Sequence, residues 1–137
     1  MTINHIFTED NGVVISISGV VTGAEIIAQN AKMHAKADFK NNISFYLYDL
    51  SQVDQIDINA DEVATIAEQD MEAAQKTPNQ VVLLVASSDL IFGLGRMWQT
   101  LVEDSALKAG VFRTLDEANK WIGRNILKVQ PEIRKQL

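Results

Sequence analysis

The run Gln80–Ala86 reads Gln-Val-Val-Leu-Leu-Val-Ala, with no charge and no alternation of polar and apolar residues. A short apolar run without the period of two is a strand buried on both faces, and such strands lie in the middle of a largely parallel sheet covered by helices. The chain must therefore supply crossover helices, and three helix starts can be read directly. Thr22 and Glu25, Asn59 and Glu62, and Thr114 and Glu117 each place a capping side chain three residues before a glutamate. At that spacing the two side chains reciprocally bond the backbone N–H groups exposed at a helix N-terminus.

Between these points the apolar pattern changes period. Asp10-Asn11-Gly12 separates Ile3–Thr8 from Val13–Ser18, which predicts an antiparallel hairpin whose turn takes positive φ at Asn-Gly. Gly19–Val21 leads into a helix expected to reach about Ala37, burying Ile27, Ala31 and His34 with Ile26 and Met33 beside them. Ile43–Tyr48 reads as a strand ending at Asp49, followed by a polar loop. The next helix carries Val63, Ile66, Ala67, Met71 and Ala74 at helical spacing and stops before Thr77-Pro78. After Gln80–Ala86, Ser87-Ser88-Asp89 opens a stripe of Leu94, Met97, Trp98, Leu101 and Val102. Ala109–Arg113 is a short last strand, and the final helix buries Ala118, Trp121 and Ile122. The expected fold is α/β, with a mixed β-sheet and four helices in the order ββαβαβαβα. Residues 1–123 form the domain, and 124–137 an amphipathic C-terminal tail bearing Ile126, Leu127, Val129, Ile133 and Leu137.

Composition excludes several functions. With 137 residues the chain can bury a core without staples, and with no cysteine it has no thiol nucleophile, disulfide or thiolate metal site. Absence of cysteine, of a signal-peptide pattern and of a long apolar stretch leads to the expectation of a cytoplasmic protein without membrane insertion. Residues 49–72 hold eight carboxylates (Asp49, Asp54, Asp57, Asp61, Glu62, Glu68, Asp70 and Glu72) and no Lys or Arg. With a net charge of -6, this argues against nucleic acid as a partner, because that affinity rests on cations that neutralise phosphates.

The string Asp49-Leu50-Ser51-Gln52-Val53-Asp54-Gln55-Ile56-Asp57, set between the third strand and second helix, resembles the STAS family of anti-sigma-factor-antagonist domains. Val111–Ala118 with Trp121-Ile122 is similar to the end of the SpoIIAA-like members, so the resemblance spans about residues 3–123. It implies a STAS/SpoIIAA-like α/β domain that binds proteins, nucleotides or lipids and regulates without catalysis. In the antagonist branch the aspartate is followed by two hydroxyl residues and a glycine, the second hydroxyl being the kinase target. Here Ile58, Asn59 and Ala60 stand in those places, so the resemblance implies no phospho-switch serine and leaves Asn59 as an N-cap.

Candidate chemistry is sparse. The acids Asp54, Asp57 and Asp61 lack the glycine turn and twelfth-position glutamate of a calcium loop, so no metal is expected. Phe92-Gly93-Leu94-Gly95-Arg96 lacks both the third glycine of a dinucleotide fingerprint and the Gly-Lys-Ser/Thr of a phosphate loop, and no cofactor is expected. His5 and His34 have no spaced partner histidine, and no Gly-x-Ser-x-Gly elbow is present, so an enzyme is not expected. The reading is a non-enzymatic binding or regulatory module that meets a protein partner through Asp49, Ser51, Asp57 and Asn59 with the adjoining second helix, a homodimer being a further expectation. The alternative is a carrier or sensor of a small apolar, lipid-like ligand held near Phe92, Leu94, Met97 and Trp98, with Ser88, Phe92, Arg96 and Trp98 as its ligand-binding set.

Overall fold

A computed structural model describes residues 1–36, 43–77 and 79–125. The elements run β1 (Thr2–Phe7), β2 (Gly12–Thr22), α1 (Gly23–Ala35), β3 (Phe45–Asp57), α2 (Ala60–Lys76), β4 (Val81–Val85), α3 (Asp89–Val102), β5 (Lys108–Phe112) and α4 (Leu115–Asn125). The expected order ββαβαβαβα is the observed one. The five strands lie in sequence order, β1 antiparallel to β2 and the others parallel. Of the tail expected at 124–137, Arg124 and Asn125 close α4, and the remainder lies outside the described residues.

Strand alternation sorts the core into two layers. Val13, Ile15 and Ile17 of β2, Tyr46 of β3, Val82 of β4 and Val111 of β5 face α1, α2 and α3. Phe45, Leu47, Val81, Leu83 and Val85 face the opposite way and pack on Ala118 and Ile122 of α4. β4 is thus covered on both faces, which is why its sequence never alternates. Fully burying aliphatic side chains of this size stabilises by about 1.5–3 kcal/mol each, so this strand is the structural centre of the fold.

Two strands are longer than their sequences suggest. Gly19–Val21 continues β2, and β3 does not end at Asp49 but runs eight residues further, to Asp57. The expected polar loop is a strand paired with β2 through Thr22 and Asp57. Ser16 pairs Asp49 and Ser18 pairs Gln52, then Gly19 pairs Val53 and Val20 pairs Gln55, so β3 carries an extra residue at each shift. Such bulges bend a strand and break the simple alternation that periodicity reads.

Helix faces also differ in detail. In α1 Asn30 and Met33 are buried, Ile26 and Ile27 are half-buried, and Ala31 is exposed. α3 turns Ile91, Gly95, Trp98 and Val102 inward while Met97 and Leu101 face solvent. Gly95 is there because the helix approaches the sheet closely: a Cβ would stand 3.1 Å from Val111 Cγ1. At the hairpin only Asn11 takes positive φ, at 63°. Gly12 is instead a buried strand residue whose missing side chain leaves room for the Phe45 ring.

Candidate functional site

The helix starts anticipated from capping spacing are formed as expected. Asn59 Oδ1 accepts the Glu62 N–H at 2.8 Å, and Glu62 Oε1 accepts the Asn59 N–H at 3.0 Å. Thr22 and Glu25 make the same reciprocal pair at the start of α1. Asn59 therefore stands as the N-cap of α2, with Asp57, Asp61 and Ala60 exposed around it.

Asp49 does not sit at a strand end. It lies within β3, where its Oδ1 accepts the backbone N–H of Ser51 at 3.0 Å, supplying a partner at the first bulge. Asp49 and Ser51 are half-buried, whereas Asp54 and Asp57 further along the strand and Asp61 in α2 are exposed. Asp54, Asp57 and Asp61 make no ion pair among the described residues. The end of β3 and start of α2 are consequently an exposed acidic edge with no ion pair at these three acids among the described residues.

Ser88, Phe92, Arg96 and Trp98 are divided among different environments. Ser88 caps α3, its Oγ accepting the Ile91 N–H at 3.2 Å. Phe92 packs on the core with the Arg113 guanidinium 4.1 Å above its ring. Arg113 also donates to Asp89 at 2.7 Å, so the cation that meets the start of α3 is Arg113, while Arg96 is exposed. Trp98 alone of the four turns into the space between the helices and the sheet.

That space is an apolar cavity of about 120 Å³. Ile17, Tyr48, Leu50, Ile56, Val82 and Leu84 form its sheet wall. The helices contribute Ile26 of α1, Val63 and Ile66 of α2, and Ile91, Leu94 and Trp98 of α3. Leu50, Ile56, Ile58, Ile66 and Leu94 are only half-buried, which leaves one side open to solvent. Of the cluster expected to hold a ligand, Leu94 and Trp98 line it; Phe92 and Met97 do not.

At the edge of this cavity lies a polar hub that periodicity did not reveal. Asp70 of α2 is 8% exposed and accepts three hydrogen bonds. Asn30 Nδ2 donates to its Oδ1 at 3.0 Å, His34 Nε2 pairs with the same oxygen at 2.9 Å, and Trp98 Nε1 donates to Oδ2 at 2.8 Å. Gln69 extends the hub, accepting from Asn30 at 2.9 Å and donating to the Ile27 carbonyl at 3.1 Å. A buried carboxylate is tolerated when donors satisfy it, and here they come from α1 and α3, so one side chain joins three helices. Beneath it, burial raises the Tyr46 phenol to about 12 and pushes the Tyr48 phenol up further, the nearby Asp70 charge and Tyr46 adding to the second effect. Both phenols thus stay neutral throughout the physiological range. The signals that could have exposed the hub are Asp70 on the stripe of Val63, Ala67 and Ala74, and Asn30 in a buried turn of α1.

No group of three or more metal-ligating side chains occurs among the described residues, and no described helix is long and apolar enough to cross a membrane. Neither a protein-family model nor a curated protein matches the sequence. Solved structures do. The unphosphorylated form of the anti-sigma factor antagonist SpoIIAA matches with a TM-score of 0.59 at 13% identity, over 91% of this chain and 99% of that one. The chain has a SpoIIAA-like fold. The phosphorylated form of the Bacillus cell fate determinant SpoIIAA matches with a TM-score of 0.51 at 13% identity, covering 88% of this chain and 99% of that one. An uncharacterised Shewanella loihica protein with a SpoIIAA-like fold gives 0.50 at 15% identity, over 88% of this chain and 91% of that one. The SpoIIAA-like fold expected from the β3 string is therefore the observed one.

Proposed function

We propose that this SpoIIAA-like domain is a non-enzymatic, cytoplasmic regulatory module that works by contact with another protein. The observation that carries the reading is the acidic edge at the end of β3 and start of α2, where Asp54, Asp57 and Asp61 are exposed and unpaired among the described residues. Uncompensated charge on a protein surface steers and selects a partner of opposite sign, so the partner surface is basic. Asp57 and Asn59 belong to this edge, and Asp49 and Ser51, half-buried further back along β3, are proposed to extend the contact. Structural similarity to an anti-sigma factor antagonist supports a regulatory role of this kind. Asn59 acts as a cap with no hydroxyl to modify, so the contact is not switched by phosphate at that turn.

The test is capture of a partner from the organism's own extract with the intact chain and with an Asp57→Lys/Asp61→Lys variant. One protein should be enriched by the intact chain, released as salt rises, and lost in the variant. Retention of that protein by the charge-reversed variant would sink the assignment of this face, and stoichiometric phosphate on Ser51 in native protein would sink the absence of a switch.

The apolar cavity favours a second reading, in which the module carries or senses a small apolar ligand between the sheet and the three helices.

A further inference from the structure

Resting on that second reading, we propose that the occupant of the cavity is a compact, electrically neutral hydrocarbon or aromatic body of about one ring, and that long-chain or anionic lipids do not enter.

Size supplies the first argument. The cavity measures about 120 Å³. An apolar cavity of about 150 Å³ accommodates benzene, whereas sites for drug-sized ligands are roughly 300–1,000 Å³. A long acyl chain therefore exceeds the space: the Asp70 hub holds the three helices together, and the rest of the chain would be left in water at the open side.

Charge supplies the second. Among the described residues Asp70 is the one carboxylate in the wall, and its oxygens already accept from Asn30, His34 and Trp98. No Lys or Arg lines the cavity among the described residues. Six lining residues (Leu50, Ile56, Ile58, Val63, Ile66 and Asp70) come from the 49–72 segment, which holds eight carboxylates and no basic residue. A carboxylate or phosphate head group would be held by a segment rich in like charge, with no Lys or Arg among the described lining residues to neutralise it. The wall offers dispersion contacts from Ile, Leu and Trp side chains, and the donors of its described side chains are already engaged, Asn30 with Gln69 and Asp70, Trp98 with Asp70 and the Tyr48 hydroxyl with Met33 Sδ, so selection is by shape and neutrality.

Trp98 makes the test direct. Of the two tryptophans, Trp98 lines the cavity and Trp121 packs on Phe112 under the opposite face of the sheet, so a Trp121→Phe background isolates the reporter. That protein is titrated with toluene and, separately, with decanoate, following Trp98 emission and the thermal midpoint. Saturable toluene binding with a higher midpoint is expected, and decanoate should bind at least tenfold more weakly. Ile66→Phe and Leu94→Phe each fill the cavity from a different helix without adding a tryptophan; either one, if cooperatively folded, should weaken toluene binding at least tenfold. Decanoate binding as tightly as toluene would overturn the size and charge selection while leaving the carrier reading in place. Failure of both ligands to bind would overturn the carrier reading itself.

Discussion

Trp98 and Asp70, 28 residues apart in sequence, meet at 2.8 Å with the indole N–H donating to a buried carboxylate oxygen. The other oxygen takes Asn30 and His34, so three donors depend on one side chain. Truncating a satisfied buried acceptor strands its donors without solvent.

Asp70→Ala should consequently destabilise the fold by about 3 kcal/mol. Asp70→Asn should cost less, about 1–2 kcal/mol, because the amide keeps one oxygen but turns an N–H group toward an existing donor. Urea denaturation followed by far-ultraviolet dichroism measures both. Equal stability of wild type and Asp70→Ala would show that the hub does not hold the helices together.

The N-cap of α2 gives a smaller effect. Asn59→Ala removes the acceptor for the Glu62 N–H and should lose about 1 kcal/mol, while Asn59→Ser retains a cap and should stay within a few tenths. The same denaturation experiment separates the two; a matching loss in both variants would mean that the cap is not the reason for Asn59.

Gly12 is constrained by the Phe45 ring, which occupies the space a Cβ would need. Gly12→Ala should therefore destabilise by about 2 kcal/mol through overpacking. Phe45→Leu in that background should restore part of the loss relative to the sum of the single changes. Strict additivity in the double-mutant cycle would exclude a clash between these positions.

Alkaline titration addresses the two buried phenols. Tyr46 is raised to about 12 and Tyr48 further still, so the folded state favours their neutral forms. That contribution is fully present below the unfolded phenol value near 10 and is lost as pH rises through the folded values. Tyrosinate absorbance should appear only above about pH 11, together with loss of near-ultraviolet dichroism. These are the chain's two tyrosines, so a titration centred near pH 10 with the fold intact would contradict their burial.

What was legible in the sequence is what depends on neighbours along the chain. Three capping pairs located helix starts, because each bonds across three residues, and the uninterrupted run in β4 announced a strand covered on both faces. The Asp49–Asp57 string pointed to the fold family but not to its own conformation: pairing with β2 makes it strand, and the two bulges hide the alternation. The charge of Asp57 and the capping role of Asn59 could be named in advance since both are properties of residues close in sequence. Asp70 could not, because a carboxylate in a helical stripe reads as solvent-facing until Asn30, 40 residues away, and Trp98 supply its donors. The cavity likewise exists only where three helices and three strands converge. Local bonding is written in adjacent residues, whereas burial of a charge and the volume left between packed elements are set by partners that only the folded chain brings together.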